Sequence, residues 1–215
     1  MLQKIMTHYS EGGFFMHIIL LTLAIGVAII IERLKVLNSA GSIRKEELLN
    51  HIQSHILQGH LDKAIAVSAQ TKNPLTNIVR AGLVAVANNG GAEEVQTAMD
   101  AVALREVPKL ERRIGLLSML SNVATLVGLL GTVFGMIGAF GAVANVTPSE
   151  KATILANSIS EAMNCTAFGL LAAIPLLFAF GFLMSKSQEL TDDIHEASVA
   201  TLNFILANKS RIKIN

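Results

Sequence analysis

Residues 125–140 read TLVGLLGTVFGMIGAF, a run of large apolar side chains interrupted by a hydroxyl and several glycines. Thr132 lies at the centre of the run, and Gly128, Gly131 and Gly135 surround it. A long uncharged stretch of this kind is typical of a helix that crosses a lipid bilayer. Because small residues let two membrane helices approach closely, we predict that these glycines are helix-packing positions.

The composition of the whole chain agrees with a membrane protein. Of its 215 residues 52% are hydrophobic and only 15% are charged, whereas a soluble domain carries about 25% charged residues. The net charge of +1 gives no indication of nucleic-acid binding. A single cysteine excludes a disulfide within the chain, and the six histidines show no ligand spacing. We therefore expect no bound metal and no cofactor.

Three apolar stretches predict an all-α membrane protein with three transmembrane helices, two of them long and extending into the cytoplasm. The predicted segments are a short external interfacial helix (1–13), transmembrane helix 1 (14–31), a cytoplasmic helical domain (32–115), transmembrane helix 2 (116–146), a short external loop (147–153), transmembrane helix 3 (154–184), and a cytoplasmic C-terminal helix with a basic tail (185–215).

The positive charges predict the orientation of the three spans. Lys4 is the only cation before the first span, and Lys151 is the only one between the second and third. The other fifteen of the seventeen lysines and arginines lie between spans one and two or after span three. The positive-inside rule then predicts that the N-terminus lies outside and that the long middle segment and the C-terminus lie in the cytoplasm.

Within the cytoplasmic segment, turn residues predict where the helices end. Lys72-Asn73-Pro74 and the NNGG sequence at 88–91 are strong breaks. After residue 91, a charged helix is expected to lead directly into span two. Pro108 is expected to kink that helix or to begin a new one.

Polar side chains inside the spans are the candidate functional residues. In lipid such groups face protein or water, so they either join helices through hydrogen bonds or line an ion pathway. Glu161 is the only carboxylate within a span, and an intramembrane acid is a functional hypothesis by default. It lies five residues from Thr166, so the two side chains point in different directions around one helix. The remaining candidates for the pathway or for polar packing are Thr125, Asn122, Asn164 and Ser158.

Two segments resemble a known family. VGLLGTVFGMIGAF at 127–140 is similar to the second-span signature of the MotA/TolQ/ExbB ion-channel family, in its three-span TolQ/ExbB branch. ISEAMNCTAFGLLAAIP at 159–175 is similar to the third-span signature, and Gly169 in it joins the expected packing positions. The layout of the whole chain fits the family, and the specific resemblance runs from about Leu110 to Pro175.

The resemblance implies a function and partners. It implies a pentamer of this chain around a dimer of a single-span protein like ExbD, TolR or MotB, whose Asp binds the transported ion. Thr132 and Thr166 match the pore-facing threonines of the family, and Glu161 matches its third-span glutamate. Ion flow through such a complex would deliver mechanical work to the cell envelope, as in the TonB and Tol systems.

The sequence also leaves alternatives open. Thr125 stands where TolQ and ExbB usually have proline, and Asn157-Ser158 stand where they usually have Pro-Gly. The driven process could therefore be TonB-type transport, Tol-type envelope maintenance or gliding, and the ion could be a proton or sodium. A non-conducting membrane scaffold is the second hypothesis. An enzyme is not expected, because no nucleophile–base pair, metal-ligand spacing or phosphate-binding loop is present.

Overall fold

The computed structural model of the chain describes residues 13–42, 45–70, 73–145 and 147–208. These residues form α-helices and no strand, which confirms the predicted fold class. The helices are α1 (Gly13–Ala40), α2 (Lys45–Leu57), α3 (Leu61–Ala69), α4 (Pro74–Ala87), α5 (Ala92–Glu111), α6 (Ile114–Ala142) and α7 (Pro148–Ala207), and a 3₁₀ turn covers Val143–Asn145. Nearly all of the predicted interfacial helix (1–13), and the basic end of the C-terminal segment, lie outside the described residues.

Three of these helices account for the predicted membrane spans. The stretches that contain α1, α6 and α7 are long and apolar enough to cross a membrane. Helix α6 contains no charged residue, and Glu161 is the only charged residue of α7 between Lys151 and Lys186. Many of their large apolar side chains are exposed in the single chain, as expected for surfaces that meet lipid or other helices.

The chain forms two compact units. The spanning unit consists of the described residues up to Glu32 together with Arg113–Phe182. The bundle unit consists of Arg33–Arg112 together with the described residues from Leu183 onward. Helices α1 and α7 each contribute one part to each unit.

A sharp break separates α5 from α6, so the expectation of a direct lead into span two is wrong. Arg112 has extended backbone angles (φ −52°, ψ 133°), and Arg113 is left-handed with φ 65°. The Arg113 guanidinium donates to both carboxylate oxygens of Glu32, at 2.9 and 2.7 Å. Pro108 lies inside α5 and does not mark the break.

Helix α7 is one continuous helix of 60 residues. The sequence predicted an external loop at 147–153 and a new segment from residue 185, but α7 begins at Pro148 and runs through both boundaries. The fixed φ of proline suits the first turn of a helix, which explains the early start. Residues 185–189 contain neither glycine nor proline, so nothing in this stretch ends the helix.

The bundle unit is held together by caps and by a salt bridge between α2 and α7. The Asn73 side chain accepts a hydrogen bond from the Leu75 amide at 2.9 Å and donates to the Ala40 carbonyl at 2.6 Å. The ammonium of Lys45 donates to Asp193 at 2.7 Å and also to Glu196. These two hydrogen bonds, the one to Asp193 first, raise the pKa of Lys45 well above its ordinary value.

Candidate ion-pathway site

Helices α6 and α7 touch backbone to backbone at two glycines. A Cβ atom placed on Gly128 would lie 2.9 Å from the carbonyl oxygen of Cys165 and 3.2 Å from the Cα of Gly169. A Cβ atom on Gly169 would lie 2.8 Å from the carbonyl oxygen of Ala124. Ordinary contacts between carbon atoms are about 3.5–4.0 Å long, so only glycine fits at these positions.

Two further glycines of α6 face small side chains of α7. Cβ atoms on Gly131 and Gly135 would lie 2.7 Å from the Cβ atoms of Cys165 and Ala162, respectively. Gly138 differs, because nothing lies within 4 Å of the Cβ position there. Gly138 lies about 80° around α6 from Gly128, so it points away from the face that meets α7.

Two hydroxyl groups join the same pair of helices. Ser121 donates to the carbonyl oxygen of Ala173 at 2.8 Å, and Thr166 donates to the carbonyl oxygen of Gly128 at 3.1 Å. Ser121 was absent from the residues selected from the sequence. Its distance of seven residues from Gly128, two helical turns on the same face, is the signal that could have identified it.

Helix α1 covers one flank of the α6–α7 pair. The Cβ of Phe15 lies 3.5 Å from the Cβ position of Gly131, and its ring lies 5.6 Å from the ring of Phe134. Farther along α1, Ile19 is buried in a cluster with Ala124 and alanines of α7. The other flank of the α6–α7 pair carries the threonines.

The position of these threonines follows from helix geometry. Each residue advances by about 100° around a helix, so Thr132 and Thr125 lie about 40° and 60° from Gly128 in one direction. Gly131, which α1 covers, lies about 60° from Gly128 in the opposite direction. Thr125 and Thr132 are half-buried and share the flank that α1 leaves uncovered.

Thr166 of α7 falls on the same flank. It lies about 60° from Gly169 in the direction of increasing angle. Helices α6 and α7 are antiparallel, since Ser121 meets Ala173 and Gly135 meets Ala162, and equal offsets on antiparallel helices fall on one side. Thr166 contacts Gly128, which lies between Thr125 and Thr132 along α6. The three threonines therefore follow one another at intervals of about one helical turn and extend over about 10 Å.

The three hydroxyls already donate to backbone carbonyls and can still accept. Thr132 donates to Leu129 at 2.6 Å and Thr125 to Ser121 at 3.1 Å, both within α6. A hydroxyl oxygen that has donated its proton to a hydrogen bond keeps two lone pairs. Each threonine can therefore accept a hydrogen bond from water or from a hydrated proton.

The structure does not bring Glu161 to the threonine flank. Its side chain is exposed, and it lies about 140° around α7 from Thr166. Asn122 is exposed, whereas Ser158 and Asn164 are half-buried. Among the described residues, no group of three or more His, Cys, Asp or Glu side chains could hold a metal ion.

Comparison with known proteins identifies the family to which this chain belongs. A family model described as the MotA/TolQ/ExbB proton channel family matches residues 70–196, more than half of the chain. The chain belongs to this family, and the match covers α6 and the threonine-bearing part of α7.

Individual relatives carry TolQ and ExbB names. The chain is 38% identical over 98 residues to the Tol-Pal system protein TolQ of Pseudomonas aeruginosa, which covers 46% of this chain and 42% of that protein. It is 35% identical over 112 residues to the biopolymer transport protein ExbB of Xanthomonas campestris, covering 49% and 44%. A putative ExbB homologue of Methanothermobacter thermautotrophicus is 25% identical over 187 residues, covering 86% and 65%. The chain thus spans less than half the length of the first two relatives.

Proposed function

We propose that this chain is the ring-forming, ion-conducting subunit of an inner-membrane motor. In this role it uses the ion motive force, carried by protons, to perform mechanical work on the cell envelope. The observation that carries the proposal is the flank of Thr125, Thr132 and Thr166, where three hydroxyls are staggered along a surface that α1 does not cover.

The same flank indicates what the chain needs from a partner. A proton path requires a group that titrates, and threonine does not titrate at physiological pH. Glu161 is the only acid within the spans, and it lies on a different side of α7. The titrating group is therefore supplied by a second protein, a single-span helix with an Asp like those of ExbD, TolR or MotB, which lies against the threonines.

The assembly that follows is a ring of copies, a pentamer, around a dimer of the partner. In this arrangement the threonine flanks face the ring axis, where the partner helices lie. The apolar side chains exposed on α6 and α7, such as Leu129, Phe134 and Phe178, then meet neighbouring copies and lipid. The asymmetry of positive charge supports a periplasmic N-terminus and a cytoplasmic bundle unit in this assembly.

A non-conducting scaffold is the second candidate, and one observation favours it. Thr166 donates to the carbonyl of Gly128 across the helix pair, so its hydroxyl has a packing role whether or not ions pass. Among the described residues, Thr132 donates only to Leu129 of its own helix. A change at Thr132 therefore tests conduction without breaking a bond between the two helices.

The test compares Thr132→Val with Thr132→Ser in cells that produce the partner. Valine keeps the shape of threonine and removes the hydroxyl, whereas serine keeps the hydroxyl. We expect valine to reduce ion-driven activity by about tenfold or more, which corresponds to a barrier increase of about 1.4 kcal/mol, and serine to retain most of it. Full activity of the valine variant would refute a relay through this hydroxyl and would favour the scaffold.

A further inference from the structure

An open groove runs between α4 and α5 in the bundle unit, with a volume of about 700 Å³. Its floor consists of small apolar side chains, among them Ala81, Ala85, Ala98 and Val102. A floor of this kind accommodates the surface of a helix, since helix recognition commonly uses an apolar groove with polar groups at the rim.

The rim of the groove carries positive charge that no described residue of the bundle unit neutralises through an ion pair. Lys109 donates to Glu106 at 2.9 Å, so these two charges compensate each other. Arg80 and Arg105 are exposed, and neither forms an ion pair with another described residue. The groove therefore presents two uncompensated guanidinium groups, one on each of its helices.

A complementary surface lies on the same chain. Glu189, Asp192 and Glu196 are exposed on α7 at spacings of three and four residues, which place them on one stripe of the helix. Val199, 59% exposed, continues that stripe. The opposite face of α7, which includes Ile194 and Ala197, is buried within the bundle unit. Glu196 lies at the edge of the stripe, where it pairs with Lys45 of the same unit. Glu189 and Asp192 form no ion pair with a described residue, so they are the acids that the stripe offers to another surface.

The stripe and the groove lie at the same height. One cavity is lined by Leu75 of α4, Leu110 of α5, and Leu190 and Ile194 of α7, which places these residues at one level. Arg80 and Arg105 each lie five residues farther along their helices in the same direction, because Asn77 pairs with Glu106 and α4 is therefore antiparallel to α5. Five residues correspond to about 7.5 Å.

The same distance along α7 gives the level of the acidic stripe. Helix α7 is parallel to α1, since Asn38 pairs with Lys186 and Gly41 meets Leu190. Helix α5 is antiparallel to α1, since Arg33 meets Lys109 and Ser39 lines a pocket with Glu106. From the midpoint between residues 190 and 194, five residues toward the C-terminus of α7 therefore reach position 197, next to Glu196. Asp192 then lies within about one and a half turns of the level of the two arginines. Copies that cross one membrane in a closed ring stand at equal height, so in a neighbouring copy these acids meet the arginines.

We infer that the α4–α5 groove of one copy holds the acidic stripe of α7 from the next copy. The inference rests on the proposed function for the ring, and it adds the surface through which neighbours recognise each other outside the spans. The contact is heterologous, because the groove and the stripe are different surfaces. Repetition of such a contact by rotation closes a ring.

Cysteine cross-linking tests the contact. With Cys165, the only cysteine of the chain, changed to serine, Ala81→Cys in the groove is combined with Val199→Cys on the stripe, and no charge is altered. Under mild oxidation of membranes that contain the assembled complex, we expect cross-linked dimers and higher multimers. The control pair is Leu104→Cys with Val199→Cys, since Leu104 is 78% exposed, at about the height of Ala81, but faces away from the groove.

We expect the groove pair to cross-link at least about five times more than the control pair. Equal cross-linking of the two pairs, in a complex that keeps its native mass, would overturn the inference. Ion flux measured on the same samples distinguishes failure of this interface from failure of the proposed function. Retained flux without the cross-link refutes the interface alone, whereas an intact cross-linked ring without flux refutes the proposed function.

Charge reversal gives an independent test. The change Arg80→Glu with Arg105→Glu should reduce the cross-link several-fold, and so should Glu189→Lys with Asp192→Lys. All four changes together should restore it, because the signs again match across the interface. Failure of the combined variant to recover, with each pair alone folded as judged by circular dichroism, would contradict charge recognition. A loss of binding to anionic vesicles with an unchanged cross-link would instead assign the arginines to lipid.

Discussion

Replacing Gly128 with alanine places a methyl group against the backbone of α7. The new Cβ would lie 2.9 Å from the carbonyl oxygen of Cys165 and 3.2 Å from the Cα atoms of Thr166 and Gly169. These neighbours are main-chain atoms, which cannot rotate out of the way as a flexible side chain can. We expect α6 and α7 to separate locally.

The size of the separation and its cost follow from these distances. Carbon atoms in contact are about 3.5–4.0 Å apart, so the helices must move by about 0.5 Å. The hydrogen bond from Thr166 to Gly128, now 3.1 Å, would lengthen to about 3.6 Å and be lost. Overpacking costs about 1–3 kcal/mol and the lost bond about 1 kcal/mol, so we expect a loss of about 2–4 kcal/mol in the free energy of unfolding.

The assay compares Gly128→Ala with Gly138→Ala. The two substitutions make the same chemical change on the same helix, but nothing lies within 4 Å of the Cβ position at Gly138. Unfolding in mixed micelles with increasing sodium dodecyl sulfate, followed by circular dichroism, measures the free energy of each variant. We expect the stability of Gly138→Ala to stay within about 1 kcal/mol of the native chain. Equal stability of Gly128→Ala and the native chain would refute the backbone contact.

Three further predictions concern single contacts. Ser121→Ala removes the hydroxyl that bonds to the carbonyl of Ala173 between the two helices, and it should cost about 1 kcal/mol in the same unfolding assay. No change in stability would show that this bond contributes nothing. Arg113→Gly relieves the left-handed backbone but loses the exposed pair with Glu32, so it should be more stable than Arg113→Ala by about 1 kcal/mol; the opposite order would contradict the strain at this residue. Because its two acidic partners raise the pKa of Lys45, their stabilisation is complete below the ordinary lysine pKa of 10.5 and is lost as pH rises through the higher folded-state value. Lys45→Met should therefore be less stable than the native chain at neutral pH, with the gap narrowing only at strongly alkaline pH, and a gap that does not change there would contradict the ion pair.

The spans were predictable from sequence because their physics is local. An uncharged apolar stretch in lipid must form a helix to satisfy its backbone, and α6 contains no charged residue at all. The boundaries between the helices were harder to predict from sequence. The break at Arg113 depends on a left-handed residue and a contact with Glu32, 81 positions away in the chain, and no local pattern signals such a pair.

The sequence indicated which residues belong to the candidate site, but it did not indicate how they lie relative to one another in space. Thr132 and Thr166 stood out because polar groups in a span are costly unless they have a partner. Which flank they share depends on where α1 packs, and the contact of Phe15 with Gly131 shows this only in three dimensions. The bond from Ser121 to Ala173 was missed because a serine in a span looks the same whether it bonds to its own helix or to a neighbour.

The most direct test of the central claim is ion flux through the reconstituted complex. The chain is purified with a candidate partner, a small protein with one span, an Asp in its outer half and a periplasmic domain, and placed in liposomes with an imposed proton or sodium gradient. We expect a change of internal pH that requires the partner and that becomes about tenfold or more slower with Thr132→Val. An imposed sodium gradient should produce no ion flux. A correctly assembled complex that carries neither ion would contradict the account and leave the chain as a scaffold.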